Sequence, residues 1–530
     1  VVAAVLADPP TLRNTVNTRG ASGSVPGVDA LEGLLNSGLA AIDHRGVLHP
    51  QLAEAIPTIE NGLWKVFPDG RMETTWRIRP TARWHDGTPF TADDLVFTTA
   101  VANDQELGIF REAVFDLIAG VDTVDPQTVL VRWKQPFITA DTLFAMSTDT
   151  APLPRHLLER ALREDRESFT LLPYWGPEFV GSGPFRLREF TRGSHMVVQA
   201  FDGYALGRPK LDEIEVRFIP DASTLIANVL AGAVEMTLGR NVSLDESLHL
   251  REQYRAGKVE VGPANWIAVY PQFFNPTPAV VTDVQFRRAL MHAIDRQGMV
   301  DTLQAGLGGV AHTILIPDEP EFSGVGQRAV RYEYDPRRAT QLIGELGYTK
   351  GPDGDFRDGS GERLALEIRS TQMTDQQKPM FAIADYWKTI GLTTQPVVVT
   401  PQQARNRDFR ANYPAFELAG QPSGVDSLQR VRISEIPLPA NNLVGVNRAR
   451  YSNELFDDLI ERFFATIPKR ERAEILGQIV NHMTSQLVWM SIYHRVEPAL
   501  MANRITNVYP RPQGGSSSQA WNAHEWDLKP

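Results

Sequence analysis

Val261–Thr282 constrains this chain more than any other segment: 22 residues without a charge, enough to cross a bilayer if they formed a helix. Pro263, Pro271, Pro276 and Pro278 remove amide donors and fix φ within it, and Asn265, Gln272 and Asn275 add polar groups that hydrocarbon cannot satisfy. A regular helix is therefore excluded. The segment reads as a strand with an extended exit, and the chain is expected not to span a membrane.

The chain has 530 residues, which at about 150 per domain suggests roughly three to four compact units. It contains no cysteine, which rules out disulfides, thiolate metal sites and cysteine nucleophiles together. The net charge of −11, without a basic block, argues against nucleic acid as a partner, because phosphate binding needs clustered Lys and Arg. The start, Val1 to Asp8, lacks an initiator Met and a charged leader region and reads as the processed end of an exported protein.

Periodicity outlines strands alternating with helices. Leu63–Phe67 and Thr74–Arg79 flank the turn Pro68-Asp69-Gly70-Arg71, and Val121–Trp133 reads as two strands broken at Asp125-Pro126. Thr91 with Asp94 opens a helix running to about Asn103. Strands are expected at Met196–Phe201 and Glu213–Ile219, followed by a helix capped by Asp221 with Leu225, Val229 and Leu230 on one face. A single helix from Asp283 places Phe286, Leu290, Ile294 and Met299 on its apolar side and Arg287, Arg288, Asp295 and Arg296 elsewhere. Asp335-Pro336 and Gly347 bracket another helix, and Asn453–Ala465 and Pro468–Val488 supply two more.

Signals for catalysis and metal binding are missing. There is no His-Glu-x-x-His, Walker loop, Gly-x-Ser-x-Gly elbow or dinucleotide fingerprint, and no two of the 11 histidines lie three or four apart. Asp353 to Glu362 superficially resembles a calcium loop, but in that register the tight-turn glycine falls on Asp358, so a hairpin turn is expected. Adjacent acids such as Asp93-Asp94 and Asp457-Asp458 read as exposed capping or surface groups. No metal and no cofactor is expected.

Four landmarks occur together in order. They are Trp84-His85-Asp86-Gly87-Thr88-Pro89-Phe90 with Thr91-Ala92-Asp93-Asp94; Gly181-Ser182-Gly183-Pro184-Phe185; Phe286-Arg287-Arg288-Ala289-Leu290 with Ala293-Ile294-Asp295-Arg296; and Tyr334-Asp335-Pro336 followed by Leu346-Gly347-Tyr348. This set resembles the family 5 extracellular solute-binding proteins, the peptide, oligopeptide and nickel-type receptors of ABC importers. The residues themselves are turn and cap residues, so they mark a scaffold rather than a reaction.

The resemblance implies an α/β, periplasmic-binding-protein type II-like bilobal fold with an additional α+β domain. Residues 1–46, 178–268 and 490–530 would form lobe I, 47–177 the additional domain and 269–489 lobe II, with the ligand cleft between the lobes. It implies no enzyme. The chain would be an extracytoplasmic, monomeric binding protein that captures a small polar ligand, an oligopeptide or oligosaccharide, and delivers it to ABC permease subunits. It could be lipid-anchored through a cysteine lost with its leader. Two alternatives are an extracellular hydrolase using paired carboxylates and a sensory or chaperone-like binder on the same fold.

The resemblance also nominates ligand-binding residues. Relatives place an amine-binding aspartate about ten residues after a Phe-Asp strand start; Phe416-Glu417 here leads to Asp426, with Ser423 in the family's Gly-Trp position. The basic residue that meets a peptide carboxylate in some relatives falls on Gln376 or Gln377, and the amino-terminal contact segment falls on Arg19, Ala21 and Ser22. Trp175, Trp266, Tyr270 and Tyr493 lie near expected lobe crossings or strand ends, where flat rings can stack on a ligand or pack in the core. Gln402 adds a polar candidate.

Overall fold

Ala3, Ala4 and Val5 are wholly buried, the pattern of a strand covered on both faces, and the computed structural model places Val2–Val5 inside a sheet. The structure describes residues 1–19, 27–104, 106–146, 150–239, 242–315, 323–509 and 518–529. The chain divides into two units, 1–262 with 497–530, and 263–496. Both divisions fall inside long strands, Gly257–Pro271 and Met490–Ala502.

In the first unit, Val2–Val5 runs parallel to Glu213–Phe218 on one side and to Met236–Thr237 on the other. The sheet continues antiparallel through His195–Ala200 to Phe185–Thr191. Alternation sends Ala3 and Val5 into one core with helix Val28–Leu35, and Ala4 into another with Leu225 and Val229 of helix Ala222–Leu230. Leu230, expected beside them, is exposed instead.

A second sheet of the same unit is an antiparallel meander, in the order Trp64–Val66, Met72–Arg77, Thr128–Trp133, Ile118–Asp125. Helix Ala92–Ala102 belongs to this α+β part and starts in the expected capping box of Thr91 and Asp94. Asp94, however, is buried rather than exposed. Its carboxylate accepts from Thr91 N (2.9 Å), Arg155 N (2.9 Å) and Trp84 Nε1 (3.2 Å), so one cap pins three chain segments. Burial raises its pKa against these bonds.

Two of the sequence landmarks dock on each other. His85 N donates to Gly181 O (2.8 Å), and Gly181 N donates to His85 Nδ1 (3.1 Å), which leaves the Nε2 proton for Gly183 O (3.1 Å). A Cβ on Gly181 would lie 1.9 Å from Leu35 O, so glycine alone lets this turn reach the end of helix Val28–Leu35. Burial holds the His85 imidazole neutral, with its pKa pushed down to about 4.

The sheet of the second unit runs Thr393–Val399, Ala365–Thr371, Phe416–Gln421, Gly257–Pro271, Met490–Ala502. Its first three strands are parallel, and the fourth opposes the third. The uncharged segment is thus strand as far as Pro271, then irregular chain and a 3-10 turn at Ala279–Thr282. Among the described residues no helix is long and apolar enough to cross a membrane.

The single helix expected from Asp283 is two, Val284–His292 and Arg296–Leu303, because Asp295 caps a second start by accepting from Gly298 N (2.9 Å). Arg287 and Arg296, expected outside the core, are buried. Arg287 donates to the carbonyls of Val281 (2.8 Å) and Gln486 (2.7 Å), and Arg296 to those of Ala311 (2.9 Å), Ser491 (3.2 Å) and Tyr332 (2.6 Å). Irregular segments leave carbonyls without ladder partners, and a guanidinium satisfies several at once. At the calcium-like loop, Asp353 pairs with Arg357 (2.7 Å) and Arg363 (2.5 Å) beside the hairpin of Thr349–Lys350 and Phe356–Arg357.

Two outcomes test these assignments. Arg296→Met removes three hydrogen bonds to buried carbonyls and should lower stability by about 3 kcal/mol or more in urea titration, beyond an ordinary core substitution. For His85, the folded pKa lies below the unfolded value of about 6.5, so the unfolded chain binds the extra proton as pH falls. Its stabilising contribution is full above pH 6.5 and declines towards pH 4. His85→Gln should remove that part of the pH dependence, worth about 3 kcal/mol, measured as the difference between the two stability profiles.

Candidate functional site

A parallel arrangement brings strand ends together. The register Thr371↔Val399 and Arg369↔Glu417 puts the carboxyl ends of Ala365–Thr371, Thr393–Val399 and Phe416–Gln421 on one edge of the second unit's sheet. Because Gly257–Pro271 runs the opposite way, its pair Trp266↔Gln421 brings Asn265 and Trp266 to the same edge. Open α/β sheets bind ligands beyond the carboxyl ends of their strands, where loops and helix starts supply polar groups.

Here the edge is polar and tied together. Arg495 donates through Nε to Asn265 Oδ1 (2.9 Å) and forms an ion pair with Asp375, in the first turn of helix Thr374–Thr389. Asn265 crosses the neighbouring strand where Gly420 has no side chain; a Cβ there would lie 2.4 Å from Asn265 Nδ2. Trp266 is fully buried and donates from Nε1 to Pro422 O (3.1 Å), and Ser427 Oγ donates to the same carbonyl (2.6 Å). These bonds fix the loop after Gln421. Asp426 projects from the 3-10 turn that follows, open to water and, among the described residues, without a hydrogen bond or ion pair. Crowding by surrounding protein raises its carboxyl above the ordinary value.

A family model for bacterial extracellular solute-binding proteins, family 5, matches residues 47–431. The chain belongs to that family. This family 5 protein is 25% identical over 489 residues to heme-binding protein A of Haemophilus influenzae, an alignment covering 88% of this chain and 82% of the relative. It is 23% identical over 513 residues to the oligopeptide-binding protein AppA of Bacillus subtilis, covering 94% and 87%. The crystal structure of NikZ from Campylobacter jejuni in complex with Ni(L-His) superposes with a TM-score of 0.79 at 20% identity, covering 99% of both chains. The family 5 protein accordingly has the type II-like bilobal α/β fold expected from its landmarks.

The family 5 protein gathers six of the residues nominated from sequence at the polar edge: Trp266, Gln376, Gln377, Gln402, Ser423 and Asp426. Not all have free polar groups. Gln376 is buried and accepts from Thr371 Oγ1 (2.9 Å), and Gln377 donates to Gln372 O, whereas Gln402 is exposed. Tyr270 lies four residues further along its strand, opposite Glu417.

Two nominated aromatics are core residues. Trp175 is 1% exposed, packs among Phe110, Phe169 and Tyr174, and donates to Phe169 O (2.6 Å). Tyr493, also 1% exposed, belongs to the apolar core of the second unit. Packing therefore occupies both rings. The side chain of Arg19, and Ala21 and Ser22 entirely, lie outside the described residues. Sequence reading missed Arg495, Asn265 and Asp375; the available signal was an arginine in the middle of a largely apolar strand.

An unpaired acid with a raised pKa is a cost to the folded state, present above the folded pKa and absent below the unfolded value near 3.8. Asp426→Asn should therefore leave stability unchanged or slightly higher at pH 7 and make no difference at pH 3, read from urea midpoints.

Proposed function

We propose that this chain captures a small polar solute of the oligopeptide or oligosaccharide class outside the cytoplasm and delivers it to the permease subunits of an ABC importer. The observation that carries the reading is Asp426, an unpaired carboxylate facing water at an edge whose neighbouring polar groups already hold one another. Membership of the family supports the transport role. The relatives' own solutes, heme, oligopeptides and Ni(L-His), are chemically unlike, so the cargo must be argued from this chain's residues.

Binding without chemistry is the physical content of the proposal. A solute that interacts more strongly with one conformation of the protein shifts the population towards it, and a permease can distinguish the loaded state. A carboxylate hydrolase instead needs two converging acids, one of them a proton donor. Asp375, the other acid placed at this edge, is paired with Arg495.

Equilibrium dialysis with product analysis decides between them: stoichiometric capture with unchanged solute is expected, and turnover would overthrow the receptor reading. Asp426→Asn should weaken an amine-bearing solute by about 3 kcal/mol and a neutral sugar by about 1 kcal/mol. Equal small losses would remove Asp426 as an anchor.

A further inference from the structure

The second unit carries more guanidinium groups around one strand position than its acids can pair. Phe416 and Leu418 face the apolar core, so Glu417 between them points to the other face of the sheet. Arg369, beside it in register, donates to Glu417 Oε2 through Nε and Nη2 (both 3.0 Å), and Arg448 reaches Oε1 at 2.8 Å. Phe409 and Tyr413 each place a ring 4.8 Å from the Arg369 guanidinium and hold it there. Burial pushes the Glu417 carboxyl up, but Arg448, Arg369 and Arg410 together hold it below its ordinary pKa. Both of its oxygens are thus committed.

Arg410 is the surplus cation. It is exposed, and among the described residues its guanidinium has no hydrogen bond or ion pair. Arg448, a like charge, together with crowding lowers the pKa of Arg410 to about 10, and the attraction of Glu417, already shared with Arg369 and Arg448, only partly offsets this. Asp408 on the same short helix is engaged elsewhere, accepting from Asn412 Nδ2 (2.8 Å) and facing Arg450.

A second, independent observation points the same way. Tyr270, opposite Glu417 in register, is 7% exposed, and its hydroxyl makes no hydrogen bond of ordinary geometry, with the Gln421 side chain as its weak neighbour. The positive charges of Arg448 and Arg430 act on it, and Trp489 packs against its ring at 5.4 Å. A buried hydroxyl without a well-formed hydrogen bond and a cation beside a like charge both gain when an oxyanion accepts from them.

We infer that Tyr270, Arg410 and Arg448 form a receptor for an oxyanion, a carboxylate or phosphate group on the captured solute. The inference rests on the solute-capture reading and sharpens it, favouring an acidic cargo over a neutral sugar. Tyr270 donates its hydroxyl proton and Arg410 its free guanidinium protons, while Arg448 adds charge without leaving Glu417.

The test titrates acetate and inorganic phosphate into the full chain against chloride matched in ionic strength, reading the unfolding temperature. Wild type should gain stability with at least one of the two, and the more effective one names the group. Arg410→Gln and Tyr270→Phe should each weaken that effect about tenfold, one charge-assisted hydrogen bond. Tyr270→Phe should lose little or no stability without the anion, since the deleted hydroxyl makes no hydrogen bond of ordinary geometry. No shift beyond chloride in wild type, or identical titrations in wild type and both variants, overturns the oxyanion site. Native mass spectrometry of copurified solute, run alongside, keeps the two readings apart. Retained solute with no anion effect sinks this site alone, whereas an anion effect without any captured solute supports the site and counts against solute capture.

Discussion

Parallel pairing is the constraint on which the candidate site depends. Once Ala365–Thr371, Thr393–Val399 and Phe416–Gln421 run in one direction, every strand must exit at the same edge. Three helical starts and the loop to Asp426 consequently crowd there, with unpaired backbone N–H groups and short polar side chains. The opposing strand adds Asn265 and Trp266 because antiparallel pairing brings its earlier residues to that edge. The position of the candidate site follows from strand direction before any single side chain is considered.

Buried arginines do the complementary structural work. Arg287 and Arg296 hold carbonyls that irregular chain would otherwise leave unpaired, and Arg369 fills the space between two aromatic rings while engaging Glu417. Lysine could not do this, because one ammonium lacks the planar fork that reaches several acceptors. The Arg-rich composition, 44 of 53 basic residues when the 9 lysines are set aside, thus has a local use inside this fold. Where the arginines outnumber acids, as around Glu417, the excess becomes binding potential.

Much of the scaffold could be read along the chain because its signals are local. Thr91 with Asp94, Asp221, Asp335 and Asn453 cap helices within a few residues of where they stand, and proline in Val261–Thr282 excludes a helix by sterics alone. The break at Asp295 was harder. The apolar spacing from Phe286 to Met299 suits one helix, and only the acceptor role of Asp295 towards Gly298 N ends the first and starts the second. Arg287 and Arg296 looked solvent-facing because charge usually is; their carbonyl partners lie as far away as Gln486 and Ser491.

By itself the sequence determined the element order, the caps, the family landmarks and the absence of a membrane-spanning helix in the uncharged segment, since each depends on residues close together in the chain. Tertiary structure decided which candidates have groups to spare. Trp175 and Tyr493 spend their rings on the core, Gln376 spends its amide oxygen on Thr371, and Asp94 spends its carboxylate on three segments. Asp426, Arg410 and the Tyr270 hydroxyl do not. The physical reason is that a polar group's availability depends on what its neighbours in space have already satisfied, and those neighbours lie tens to hundreds of residues away in the chain.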